Sequence, residues 1–147
     1  MNEKEFECTT GILDDSYKNV RMASFAIDCI IEAIEDNELK NLLRKQNKFY
    51  LSKVREIEDQ SKQYNHKLSD INMFLKGSSF ASIKMKTMMD NSTSTIAQML
   101  VEGTTMGITT SIKAKRDFEC AEKNILSLAN DIISSEEKFV ESLKKFI

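Results

Sequence analysis

At 147 residues, 41% apolar and 30% charged, the chain is long enough for one domain that buries about 70% of its unfolded surface, and too apolar to be disordered. Its 21 Lys and Arg against 23 Asp and Glu, net −2, exclude the basic field that would hold nucleic acid or anionic lipid. No apolar run reaches the roughly 18 residues of a membrane span, and residues 1–7 are charged, without an apolar core of signal length.

Proline is absent and glycines number four, which favours long uninterrupted helices. The first helix is predicted over about 10–35. Ile12, Val20, Ala23, Ile27, Ile30, Ile31 and Ile34 recur at three- and four-residue spacing, and Thr9 or Thr10 can cap the start. Asp14 and Asp15 suit the positive end of its dipole. Glu35, Asp36, Asn37 and Glu38 interrupt the stripe, with Asp36 or Asn37 as the next cap. So short a turn folds the second helix, over about 38–64, back antiparallel. Leu39, Leu42, Leu43, Gln46, Phe49, Tyr50, Val54, Ile57 and Tyr64 form its inner face.

The pattern breaks over about 65–91. A structureless loop of that length is rare in a compact domain, so a partly helical crossover is expected, with short helices over 69–76, stopped by Gly77, and over 79–89. The third helix is predicted over about 92–117, with Ile96, Met99, Leu100, Gly103, Met106, Gly107, Thr110 and Ala114 on one face. From residue 91 to 112 there is one charged residue, Glu102, and nine Ser or Thr. Either this helix is covered on several sides, by the crossover and a second subunit, or it carries a hydroxyl-rich wet face. The fourth helix, over about 121–147, repeats Ile125, Leu128, Ile132, Phe139, Leu143 and Phe146 almost in heptads, widened by Ala129, Ile133, Val140 and Ile147. Ser134, Ser135, Glu136 and Glu137 have the form of a capping box, so a break there is the competing parse.

Three cysteines, Cys8, Cys29 and Cys120, lie far apart with no C-x-x-C, and read as free thiols in a reducing compartment. Cys29 sits beside the first apolar stripe.

A di-metal carboxylate centre in a bundle needs inward carboxylates and two histidines. Asp28, Glu32, Glu102 and Glu136 are the inward or near-inward acids. The single histidine, His66, has Gln63 three residues before it, and no Glu-x-x-His occurs; His66 reads as an exposed hinge residue. The expected reading is that Glu102 and Glu136 reach the edge or accept local hydrogen bonds. The alternative is a non-standard metal held by Glu102, Glu136 and Asp28. Met73, Met85, Met88, Met89, Met99 and Met106 carry thioethers that suit Cu(I), but Met at helical spacing is normally core filler. Met85, Met88 and Met89 read as a sticky crossover helix that docks on the bundle or on a partner. Gly103 and Gly107, as G-x-x-x-G, mark a close approach of another backbone or large side chain. Together with Thr110 and Glu136 they could also border a core cavity for a small apolar or cationic ligand.

The segment Leu100, Val101, Glu102, Gly103, Thr104, Thr105, Met106, Gly107, Ile108, together with the acid-rich turn and Glu-Leu-Lys-Asn-Leu-Leu of residues 33–43, resembles ferritin-like four-helix proteins of spore-forming bacteria. These are the spore coat F-like proteins and their uncharacterised relatives, and the resemblance covers most of residues 9–147. It implies an up-down-down-up bundle with a crossover, a cytoplasmic or spore-associated place and no enzyme activity. It carries over no metal ligand.

The sequence reading is therefore a single all-α domain, a four-helix ferritin-like bundle, without catalytic residues, cofactor or metal. It is expected to act as a structural or interaction protein. A homo-oligomer or a protein partner is expected on the charge-poor third helix and the Met-rich crossover, with no nucleic acid and no membrane span.

Overall fold

The computed structural model describes residues 1–69, 83 and 90–147. Among them run four α-helices: α1 (Glu3–Ile30), α2 (Asn37–Gln63), α3 (Thr93–Asp117) and α4 (Lys123–Lys144), with a 3-10 turn at Ile31–Ala33 after α1. None is long and apolar enough to cross a membrane. The two crossover helices expected over 69–76 and 79–89, and with them Gly77, Met73, Met85, Met88 and Met89, lie outside the described residues. Ile83 is described and packs against the core, as does Leu68.

Side-chain pairs set the directions. Only six residues, 31–36, join α1 to α2, and Ser24 of α1 donates to Asn47 of α2 at 2.7 Å, so the first two helices form an antiparallel hairpin. Cys8 meets Cys120, and Asn19 meets Ser111, so α1 and α3 also run antiparallel. Thr9 meets Glu122, and Asn19 meets Glu136, so α1 and α4 run parallel. Gln46 meets Ser135 and Gln60 meets Asn124, which makes α2 and α4 antiparallel neighbours. The arrangement is up-down-down-up. Its core is one cluster in which Ile12, Leu13, Ile27, Leu39, Leu43, Ile57, Ile96, Ile125, Ile132 and Leu143 are almost wholly enclosed.

The helix ends differ from expectation where a cap outweighed the apolar stripe. α1 begins seven residues early because Asn2, not Thr9 or Thr10, caps it, accepting from the Glu5 amide at 2.8 Å. Thr9 is buried and serves another helix: its hydroxyl accepts the Glu122 amide at 3.0 Å, where α4 has no side-chain cap of its own. Asp36 caps α2 by accepting from Leu39, and Ser92 caps α3 by accepting from Thr95. α2 ends in a Schellman turn. Asn65 takes a left-handed φ of 51°, and the His66 amide reaches back to the Ser61 carbonyl at 2.9 Å. α4 runs unbroken through Ser134–Glu137, because Ile132, Ile133, Glu136 and Phe139 are all buried on one continuous stripe.

Two expectations are corrected. The buried face of α3 is Ile96, Ala97, Leu100, Thr104, Ser111 and Ala114, so Gly103, Met106 and Thr110 point outward. On this outer face of the single chain Met106 is 71% and Ile112 51% exposed. Nor are all three cysteines thiols: Cys8 and Cys120 form a disulfide with Cα atoms 5.7 Å apart, and Cys29 stays outside it. Starting α1 at Glu3 brings Cys8 into a helix whose second turn lies against the α3–α4 turn, a closeness hidden by a sequence separation of 112 residues.

Candidate functional site: a buried carboxyl where four helices meet

Each helix of the bundle sends one or more polar or small groups to a single point near mid-length. α4 contributes Glu136, whose exposure is 0%. α1 contributes Asn19, whose Nδ2 donates to Glu136 Oε1 at 2.7 Å and to Ser111 Oγ at 3.3 Å. α2 contributes Tyr50, 1% exposed, whose hydroxyl donates to Glu136 Oε2 at 3.0 Å. α3 contributes Gly107 and Ser111. A Cβ at Gly107 would stand 2.6 Å from Asn19 Oδ1 and 3.5 Å from Glu136 Oε2, so only glycine leaves room for the Asn19–Glu136 bond. One turn further out on α2, Gln46 donates to Ser135 at 3.3 Å.

Electrostatics at this point favour a proton. Burial pushes the Glu136 carboxyl up from an ordinary 4.5 to about 7; the hydrogen bonds from Asn19 and Tyr50 pull it down, and the nearby Asp15 carboxylate adds to the rise. Asp15 is itself raised, first by burial, against the lowering effects of Ser111 and Lys18. Tyr50 is held above its usual range by burial and by Glu136, so it stays a neutral donor. Tyr50 and Asn19 are both uncharged, and each of Glu136's oxygens is occupied by one of them.

The remaining acids considered from the sequence are elsewhere. Asp28 is exposed and accepts from Asn47 at 3.1 Å; Glu32 and Glu102 are exposed. The stripe of α3 is rotated from the expected one, which carries Glu102 out of the core and leaves Glu136 alone there. Among the described residues no group of three or more His, Cys, Asp or Glu stands close enough to hold a metal ion. His66 is half-buried rather than exposed, with Nε2 2.9 Å from Asp14 Oδ1; the same oxygen accepts the Ser69 amide at 3.1 Å and ties the exit of α2 to α1.

The cavity expected among Gly103, Gly107, Thr110 and Glu136 is not formed. Gly103 and Thr110 are exposed, and the space beside Gly107 is filled by Asn19. A surface recess between α1 and α2, lined by Arg21, Ser24, Phe25, Asp28, Leu51 and Val54, does not include Glu136 among its walls.

Sequence reasoning placed Glu136 and Tyr50 on inner stripes and singled out Gly107, but it expected Glu136 to reach the edge or bond locally, which its zero exposure and its bonds from α1 and α2 overturn, and it missed Asn19, Asp15 and Ser111 as companions. The available signal was Gly107 and Ser111 one turn apart, small residues that leave room for a polar side chain from a facing helix. The chain matches no protein-family description, no curated protein and no solved structure.

Proposed function

We propose that this chain is a non-catalytic interaction bundle, and that the outer face of α3 is its contact surface, with a second copy of the chain as the first expected occupant. One observation carries the reading. From Gly103 to Ile112 the exposed surface of a full-length bundle helix has no charge, where α2 turns out Lys, Arg, Glu or Asp at nine of its fourteen exposed positions. Two of its exposed hydroxyls spend their protons within the helix: Thr109 and Thr110 donate back to the carbonyls of Thr105 and Met106, each at 3.0 Å, on a surface shared with the exposed Met106 and Ile112. A contiguous apolar strip on an otherwise charged monomer is the usual mark of a protein contact.

The sealed Glu136 carboxyl supports a structural role, since both its oxygens are hydrogen-bonded and its exposure is 0%. The up-down-down-up arrangement is the one that the ferritin-like resemblance implies, and a spore-associated role rests on that resemblance alone. Of location, the Cys8–Cys120 bond supports an oxidising setting rather than the cytosol. Thiol counting on protein taken from cells under alkylating conditions tests that: two blocked cysteines agree, three reactive ones do not.

The contact reading is tested by Met106→Glu, which sets a charge in the middle of the strip at a position that packs nothing. Circular dichroism should be unchanged, and self-association in sedimentation equilibrium should be lost. Association that survives the substitution counts against the face.

A further inference from the structure

The outer face of α3 has a symmetry that the charge-poor strip alone does not require. Its uncharged stretch is bounded by Glu102 on one side and Lys113 on the other, both exposed. Eleven residues separate them, three turns of helix to within about 20°, so the opposite charges stand on the same face. Met106, 71% exposed, and Thr109 lie on that same face between them.

We infer that α3 pairs with α3 of a second copy, antiparallel, about a two-fold axis passing between Gly107 and Ile108. That one choice of axis sets Glu102 against the partner's Lys113 and Met106 against the partner's Thr109. Symmetry repeats each contact, so two opposite-charge pairs close the ends around two Met106–Thr109 contacts. The parallel alternative sets Glu102 on Glu102 and Lys113 on Lys113. Antiparallel helices also oppose their dipoles favourably. Lys113 gives up its bond to Asp117, 2.8 Å within one turn, but both side chains are about half exposed or more and such a pair is cheap to exchange. A single helix face is a small interface, so the dimer forms and dissociates with concentration rather than permanently.

The pairing deepens the contact-surface reading and rests on it, and its test is separate from that of Met106→Glu, which disturbs any use of the face. Sedimentation equilibrium compares the full chain with Glu102→Lys, with Lys113→Glu and with the double swap. Each single swap faces like charges twice and is expected to weaken dimerisation at least about tenfold; the double swap restores it to within about threefold, because the pairs re-form with signs exchanged. Single swaps without effect, a double swap that does not recover, or a wild-type chain that stays monomeric at every concentration would each overturn the pairing. If Met106→Glu abolishes association while the swaps leave it intact, the face stands and this register falls.

Discussion

The two non-aliphatic features of the bundle, its fastened end and its polar centre, solve opposite problems. At the end, Cys8 is bonded to Cys120, Thr9 accepts the Glu122 amide, and Phe118 lies so close on Gly11 that a Cβ there would stand 2.7 Å from the ring. All three tie the first turns of α1 to the α3–α4 turn. At the centre, Glu136 is enclosed by Asn19, Tyr50 and Gly107, with no cation among the described residues bonded to it. The end adds constraint to residues that bury little apolar surface, Phe6 being 39% exposed. The centre takes stability away, because a carboxyl removed from water favours folding only while it holds a proton. Covalent and polar elements in one bundle thus act with different signs, and each can be switched from outside, by reductant or by pH.

The largest expected effect breaks the end. A cross-link closing a loop of 112 residues restricts the unfolded chain by about 5 kcal/mol in the chain-entropy account. Guanidinium unfolding with and without reductant, or of Cys120→Ala, should show a loss of that order. Thr9 and Phe118 should keep the folded arrangement, so far-ultraviolet circular dichroism before unfolding stays the same. A reduced protein as stable as the oxidised one would remove the contrast between the two regions.

The next effect is at the centre and has a definite sign. The folded carboxyl of Glu136 titrates near 7 and the unfolded one near 4.5, so its stabilising contribution is complete below about 4.5 and is lost as pH rises through about 7. Asp15, also raised, adds in the same direction. Between pH 4.5 and 7 the free energy of unfolding should fall by about 3 kcal/mol. Glu136→Gln imitates the protonated acid and should flatten the profile, leaving the variant more stable than wild type at pH 8. Urea midpoints at several pH values measure both. A wild-type profile that rises over this range would show that the enclosed carboxylate is stabilised by something other than its two neutral donors.

The smallest effect sharpens how tightly the centre is built. Gly107→Ala gains helix propensity, but the added methyl collides with Asn19 and displaces its bond to Glu136. A net loss of about 1–3 kcal/mol is expected. Gly103→Ala, with nothing near its Cβ, should instead gain slightly in stability through propensity alone. Equal effects at the two glycines would mean that the centre yields more easily than its geometry suggests.

Much of the fold was legible because aliphatic periodicity is a local signal. Leu39, Leu43 and Ile57 on α2, and Ile125, Leu128 and Leu143 on α4, repeat at the spacing of one helix face, and they are the residues found buried. The start of α1 was not legible, since residues 3–9 have no apolar stripe and their helix depends on the Asn2 cap and on contacts with residues more than a hundred positions away. The face of α3 was misread because threonine, serine, glycine and methionine differ too little in hydropathy to mark which side is inside. Glu136 was placed inside by its spacing, yet its partners come from three other helices, and nothing in the spacing of one helix specifies what faces it.

By itself the sequence determined that the chain is helical, where α2 and α4 turn their apolar faces, and that the surface of α3 would lack charge. These follow from propensities and periods that act within a few residues. Only the tertiary structure decided that Cys8 meets Cys120, that α3 turns Thr104 and Ser111 inward and Met106 outward, and that Asn19, Tyr50 and Gly107 close around Glu136. Such pairings depend on how whole helices settle against one another, where the packing of the aliphatic core sets the rotation and the polar groups are carried to the positions it leaves them.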